Sequence, residues 1–213
     1  GGRIYFDPGL DETGDYLIRV LQDIVSRYDI DALHLDDYFY PYPSGGADFP
    51  DEETFQNNPR GFTSKADWRR DNVNRIVKRI QDSVKQIKPW VEFGVSPFGV
   101  WRNANKDPKG SATKAGVTNY DDLYADVILW ADSGWVDYLA PQLYWELGKK
   151  VADYAVLAPW WQDNVKNSKL YFGLYASGLE VNKPKAWKTP NELVRQLRFN
   201  DECINNDGVI FYS

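Results

Sequence analysis

The chain has 213 residues, 43% of them apolar, and a formal net charge of −6. That length supports one globular domain with a sizeable core. The acidic balance argues against a nucleic-acid partner, since phosphate binding is driven by Lys and Arg. No apolar run approaches the ~20 residues that a membrane-spanning helix needs, so no span is expected in this chain.

The opening residues, GGRIYFDPG, contain neither a basic segment nor an apolar one, so they do not read as a signal peptide. With no initiator methionine, the chain reads as a fragment of a longer protein. Cys203 is the single cysteine, which excludes an internal disulfide, and it reads as an inert thiol late in a helix. Nine Trp and fourteen Tyr exceed the needs of an ordinary core. Such rings offer a flat apolar face and a polar edge, which suits amphipathic ligands such as sugars as well as interfaces.

In chain order, residues 15–28 place Leu17, Val20, Leu21, Ile24, Val25 and Tyr28 at helical spacing. IDALHLDD, 30–37, reads as a buried strand. A helix over about 67–88 carries Val73, Ile76, Val77, Ile80, Val84 and Ile87 on one face and stops at Pro89. A strand follows at 91–96. The next helix opens at Asn119, with Asp121 and Asp122 in its first turn, and runs to Gly134. WVDYLAPQLYW, 135–145, holds the third strand. A helix over 157–166 accommodates Pro159 if that residue lies in its first turn, and its Trp160 and Trp161 read as core. KLYFGLYAS, 169–177, is the fourth strand. Thr189, Pro190, Asn191 and Glu192 have capping-box spacing at the start of a last helix, and GVIFYS, 208–213, is the fifth strand.

Strands alternating with helical crossovers are parallel. An open doubly wound sheet and a (β/α)8 TIM barrel both fit. The open sheet usually carries a glycine-rich phosphate loop after its first strand, and none occurs here. The connections leaving the first two strands, 37–66 and 97–118, are long, whereas the turns entering the strands are short. That asymmetry is characteristic of a barrel enzyme. The reading is a single catalytic barrel domain over residues 1–213, its C-terminal part, because five strands do not close a barrel.

Side chains alternate along a strand, so Ala32, His34 and Asp36 face the barrel interior, with Asp36 at the C-terminal mouth. Asp37 begins the loop beside it. Gln142 and Tyr144 share one face of the third strand, and Ser96, Tyr175 and Tyr212 hold similar strand-end positions. Carboxylates, an amide, hydroxyls and rings on one face suit a sugar. Glycoside hydrolysis commonly needs two carboxyl groups flanking the bond. Asp36 or Asp37 supplies one; Glu146, past the third strand, is the first candidate for the other and Glu180 the second. Tyr38, Phe39, Tyr40 and Tyr42, interleaved with Pro41 and Pro43, form either loop packing or a sugar platform. His34 serves as a hydrogen-bonded core residue or a sugar contact. It is the only histidine, so a zinc site of several His ligands cannot be assembled, and no cofactor or metal is expected.

The strings LHLDDYFYPYP, DWRRDNVNR, KPWVEFGVSPFGVWRN and NYDDLYADVILWADSGWVDYLAPQLYW, with WW and LYFGLY after them, resemble the bacterial glycosyl-hydrolase-like family ten. This is a lipoprotein family with a glycosidase-type barrel, and the resemblance runs along almost the whole chain. It implies that the first strand here is the fourth of eight, so that the chain covers strands four to eight and the remaining part of the parent barrel completes them. DDY falls on Asp36, Asp37 and Tyr38, SPFG on Ser96 to Gly99, WRN on Trp101 to Asn103, and PQLYW on Pro141 to Trp145. A similar aspartate pair in glycosidase-like domains of exopolysaccharide-processing proteins supports an acid role for one of the two.

The resemblance further implies a cell-envelope or secreted location and an oligo- or polysaccharide partner, bacterial or dietary. The expected activity is hydrolysis of O-glycosidic bonds by Asp36 and Asp37. His34, Tyr38, Tyr40, Ser96, Trp101, Arg102, Gln142, Tyr144, Trp145 and Tyr175 are the expected sugar contacts. A non-catalytic carbohydrate-binding protein on the same scaffold is the alternative, and a protein-interaction module with aromatic loops a third.

Overall fold

Five strands form one sheet in a computed structural model that describes residues 4–181, 185–202 and 206–213. They are β1 (Ala32–Leu35), β2 (Glu92–Val95), β3 (Tyr138–Leu139), β4 (Lys169–Tyr175) and β5 (Gly208–Tyr212). All pair in parallel, in the order β1-β2-β3-β4-β5. A doubly wound sheet reverses its strand order at a switch point. Here each strand is added beside the last, so the sheet curls as a half-barrel of the (β/α)8 type. The predicted strand over 135–145 is regular only at Tyr138–Leu139. Beyond it, Pro141 has no N–H to give, and pairing resumes at Gln142, which bridges Phe98 on one side and Gly173 on the other.

Helix α1 (Asp11–Arg27) starts earlier than its apolar spacing suggested, with Asp11 and Glu12 in the first turn. It buries Gly14, Ile18, Leu21 and Val25, while Val20 and Tyr28, expected on that face, are exposed. After the short α2 (Glu52–Asn57), α3 (Lys65–Ile87) begins at Ser64, whose hydroxyl accepts from the Asp67 N–H at 3.2 Å. The helix expected over 119–134 is two pieces, α4 (Asn119–Asp122) and α5 (Val127–Asp132). Tyr124 lies between them at φ 53°, a left-handed conformation that no helix continues through. Gly134, at φ 67°, ends the second piece as the sequence suggested.

Pro159 lies past the first turn of α6 (Tyr154–Asn164), because the helix opens earlier, at Asp153, whose carboxylate accepts from the Ala155 N–H. Next come α7 (Gly178–Val181), a 3-10 turn (Lys185–Lys188) and α8 (Asn191–Asn200). The capping box expected at α8 does not form. Glu192 instead accepts from the Leu147 N–H at 2.8 Å and from Gln196 at 3.2 Å, tying α8 to the loop after β3. Cys203 lies outside the described residues.

The core fills the space between sheet and helices. Phe93, Val95, Leu139, Phe172 and Leu174 come from the strands, and Val77, Ile80, Trp130 and Trp161 from the helices, all nearly inaccessible. Trp161 is core as expected, and Trp160 is partly buried against Trp101. Gly94 shows how tight the interior layer is. A Cβ there would lie 2.0 Å from the Tyr138 ring, its registered neighbour on β3. Gly94→Ala is therefore expected to lower the urea midpoint by the equivalent of about 1–3 kcal/mol, the usual cost of forcing a packed core.

Candidate active site

The β1 alternation holds: Leu33 is buried against the helices while Ala32 and His34 look into the open half-barrel. At the end of that interior row stands Asp36, exposed, with Oδ1 accepting from Gln142 Nε2 at 2.6 Å and from the Asp37 N–H at 2.9 Å. Gln142 is itself fixed, because the same Nε2 donates to the Ser96 carbonyl at 3.0 Å and its N–H to Pro97. Gly99 permits this approach: a Cβ there would meet the Gln142 carbonyl at 2.3 Å.

Asp37 turns away from solvent and is only 4% exposed. Its carboxyl accepts from the Tyr42 hydroxyl and is within hydrogen-bonding reach of the Asp36 carboxyl. Burial raises its pKa above the usual carboxylate range; the Tyr42 hydrogen bond opposes that rise, and the charge of Asp36 adds to it. Tyr42 is raised in turn, by burial first and then by Asp37. Tyr144 is raised by burial and by the charge of Asp36, with smaller effects of Tyr212 and Asp37.

Tyr144 also leads an aromatic wall. Its ring stacks on Tyr175 at 5.5 Å and on Tyr212 at 5.2 Å, across the ends of β4 and β5. Lower in the interior, His34 Nδ1 lies 2.9 Å from the Tyr138 hydroxyl and the two rings stack. Burial lowers the His34 pKa against the pull of Asp36 and pushes Tyr138 up to about 12.

The remaining expected residues have contacts of their own. Ser96 donates its hydroxyl to the Ala140 carbonyl at 2.8 Å and braces β2 against β3. Tyr40 is buried, accepting from Asn72 at 3.0 Å, whereas Tyr38 is 71% exposed. Trp101 is buried between Tyr120 and Trp160. Arg102 is bound to Asp107 and Asp121 in the loop after β2. Trp145 sits edge-on to Phe98, and Glu146 pairs with Lys149 at 3.3 Å. The Glu180 side chain lies outside the described residues. Sequence reasoning did not single out Tyr42 as the partner of Asp37, or Phe98 as the ring between Tyr42 and Trp145. Both lie in aperiodic loops, where spacing carries no contact information.

Beside the Asp37 loop, a cleft of 630 Å³ is lined by Tyr5, Tyr42, Ser44, Asp48, Arg69 and Tyr124, among others. Among the described residues, no group of three or more His, Cys, Asp or Glu could hold a metal ion, and no helix is long and apolar enough to cross a membrane.

The model of the family described as "Glycosyl hydrolase-like 10" matches residues 1–190. The chain is 49% identical over 216 residues to glycosyl hydrolase YngK of Bacillus subtilis, covering 100% of itself and 42% of that protein. It is 42% identical over 219 residues to glycosyl hydrolase DigH of Escherichia coli K12, covering 100% of itself and 49% of that protein. The chain thus spans about half the length of the curated relatives it matches. In fold it is similar to the crystal structure of Bacteroides uniformis beta-glucuronidase, with a TM-score of 0.55 and 10% identity over 97% of this chain and 22% of that one. The chain belongs to the glycosyl hydrolase-like 10 family.

Proposed function

We propose that this chain carries the proton-donating side of a glycoside hydrolase that cleaves O-glycosidic bonds of a polysaccharide. The observation that carries the reading is the Asp36–Asp37 pair at the C-terminal end of a barrel strand, one carboxyl open and the other buried. Acid and nucleophile, or acid and base, in a glycosidase stand about 5–9.5 Å apart across the scissile bond. Two carboxyls within hydrogen-bonding reach are too close to flank that bond. They suit a single unit sharing one proton, since like charges at contact resist double ionisation.

In this reading Asp36, open at the mouth and steadied by Gln142, presents the proton to the leaving oxygen. Asp37 stands behind it and keeps the proton on the pair. The carboxylate on the opposite side of the bond comes from elsewhere, and Glu146 is the candidate within this chain. The rings of Tyr144, Tyr175 and Tyr212 offer a stacking face for a sugar. The proposal extends to a glycan of the cell envelope or the surroundings of the cell, as the family resemblance suggests. It also has the rest of the parent barrel cover the edges of β1 and β5, beside which Phe6, Ile210 and Phe211 are exposed.

The test is digestion of a polysaccharide panel by the full-length protein in H₂¹⁸O, read by mass spectrometry. The expected products carry one ¹⁸O at the new reducing end. Unsaturated sugars without ¹⁸O, or no products from any glycan that the protein binds, would remove hydrolysis from the reading.

A further inference from the structure

The two carboxyls of the pair are held by different residues, and those residues are joined to each other. Gln142 holds Asp36. The backbone of Gln142 is bridged to Phe98, whose carbonyl also accepts from Asn119 at 2.6 Å. The Phe98 ring meets the Tyr42 ring edge-on at 6.1 Å, and the Tyr42 hydroxyl holds Asp37. Pro41 and Pro43 on either side of Tyr42 restrict its backbone, and Tyr38 packs against its other edge at 6.4 Å.

We propose that Tyr42 is the positioning residue of Asp37, fixed through Phe98 to Gln142 so that both carboxyls are held as one rigid unit. The inference rests on the proton-sharing reading of the pair. Nothing about Tyr42 requires it to touch substrate; it acts through Asp37. The ionisable groups facing Asp37 are Asp36, Tyr42 and Tyr144, and among the described residues no basic side chain is bonded to it. Among the described residues Tyr42 is the side chain that favours its carboxylate by donation, with a smaller contribution from a backbone N–H, against burial and the charge of Asp36. Without that donor the Asp37 carboxyl is freer to turn and holds its proton to higher pH.

The experiment is a ¹³C carboxyl titration of Asp37 by NMR in the full-length protein, wild type against Tyr42→Phe, alongside the pH profile of kcat/KM on a glycan that the wild type cleaves. Phenylalanine keeps the contacts with Phe98 and Tyr38 and removes only the hydroxyl. The expected result is an upward shift of the Asp37 midpoint, a shift of the alkaline limb in the same direction, and a fall in kcat of about tenfold or more with KM little changed. An unmoved midpoint in folded Tyr42→Phe overturns the proposal. If that variant does not fold, the Tyr42 phenol is titrated in the wild type, where a midpoint at the ordinary phenol value overturns it equally. The midpoint is read without turnover, so it still decides the role of Tyr42 if Asp37→Asn keeps full activity and the acid reading itself fails.

Discussion

Asp36→Asn and Asp37→Asn are each expected to lower glycan turnover by on the order of a thousandfold, within the range lost when a general acid is removed. The two variants are expected to differ in stability. Asp37 is buried, and its pKa is raised in the folded protein, first by burial. A carboxyl whose folded pKa exceeds its unfolded one contributes stability that is full below the unfolded value and is lost as pH rises through the raised value. At neutral pH the ionised form is thus a burden on the fold. An amide there retains an oxygen that can accept from Tyr42 and carries no charge. Asp37→Asn is therefore expected to unfold at a urea concentration equal to or above that of the wild type at pH 7, even as turnover is lost, the common conflict between activity and stability. The same sign governs activity. If the pair must hold a proton to act, wild-type kcat/KM falls as pH rises through the raised Asp37 value, and because the groups are coupled, that limb belongs to the pair. A lower urea midpoint in Asp37→Asn at pH 7, or an activity that rises through that range, would count against this account.

Asp51→Ala is expected to cost about 3–5 kcal/mol, the usual loss when one member of a buried ion pair is removed. Arg69 on α3 is 2% exposed and Asp51, just before α2, is 0% exposed. The guanidinium donates to both Asp51 oxygens, and also to Asp48 at 2.7 Å, to the Tyr124 hydroxyl at 2.9 Å and to the Phe49 carbonyl at 3.1 Å. Its plane lies over Tyr124 and Tyr40, 4.9 and 5.4 Å from the ring centroids. One side chain thus fastens the far end of the long loop after β1 to the helix outside the barrel. Without Asp51 that charge stays buried with less than it needs. The urea midpoint of Asp51→Ala should fall accordingly. The double variant Asp51→Ala, Arg69→Met should lose clearly less than the sum of the two single ones, since the unpaired charge is gone. Additive losses would mean that the pair does not act as one unit.

Much of the architecture was legible because its causes are local. The apolar runs in IDALHLDD and KLYFGLYAS and the helical spacing of Val73, Val77, Ile80 and Val84 all reflect burial in one step, and each element forms where expected. The elements misjudged in detail depend on distant partners. Glu192 has the spacing of a cap, yet Leu147, far off in the chain, takes its carboxylate. Tyr124 interrupts a helical pattern while its hydroxyl accepts from Arg69. At the site, strand parity was enough to align Asp36 with Gln142, because a period of two needs no knowledge of loops. Parity says nothing once a strand ends, and the holding of Asp37 by Tyr42 is a contact within the loop that follows. The ion pairs of Arg102, placed in the site by its matching motif, with Asp107 and Asp121 are likewise loop contacts that spacing does not show.

The most direct test of the Asp36–Asp37 assignment sets binding beside turnover in the full-length protein, using one oligosaccharide that the wild type cleaves. Calorimetric Kd values for Asp36→Asn and Asp37→Asn are compared with their rates of product formation. The expected Kd values lie within a few-fold of one another, with turnover lost in both, as follows if the pair moves a proton and the rings bind the sugar. Turnover that survives both substitutions, with Kd likewise unchanged, would contradict it and put the chemistry elsewhere in the protein.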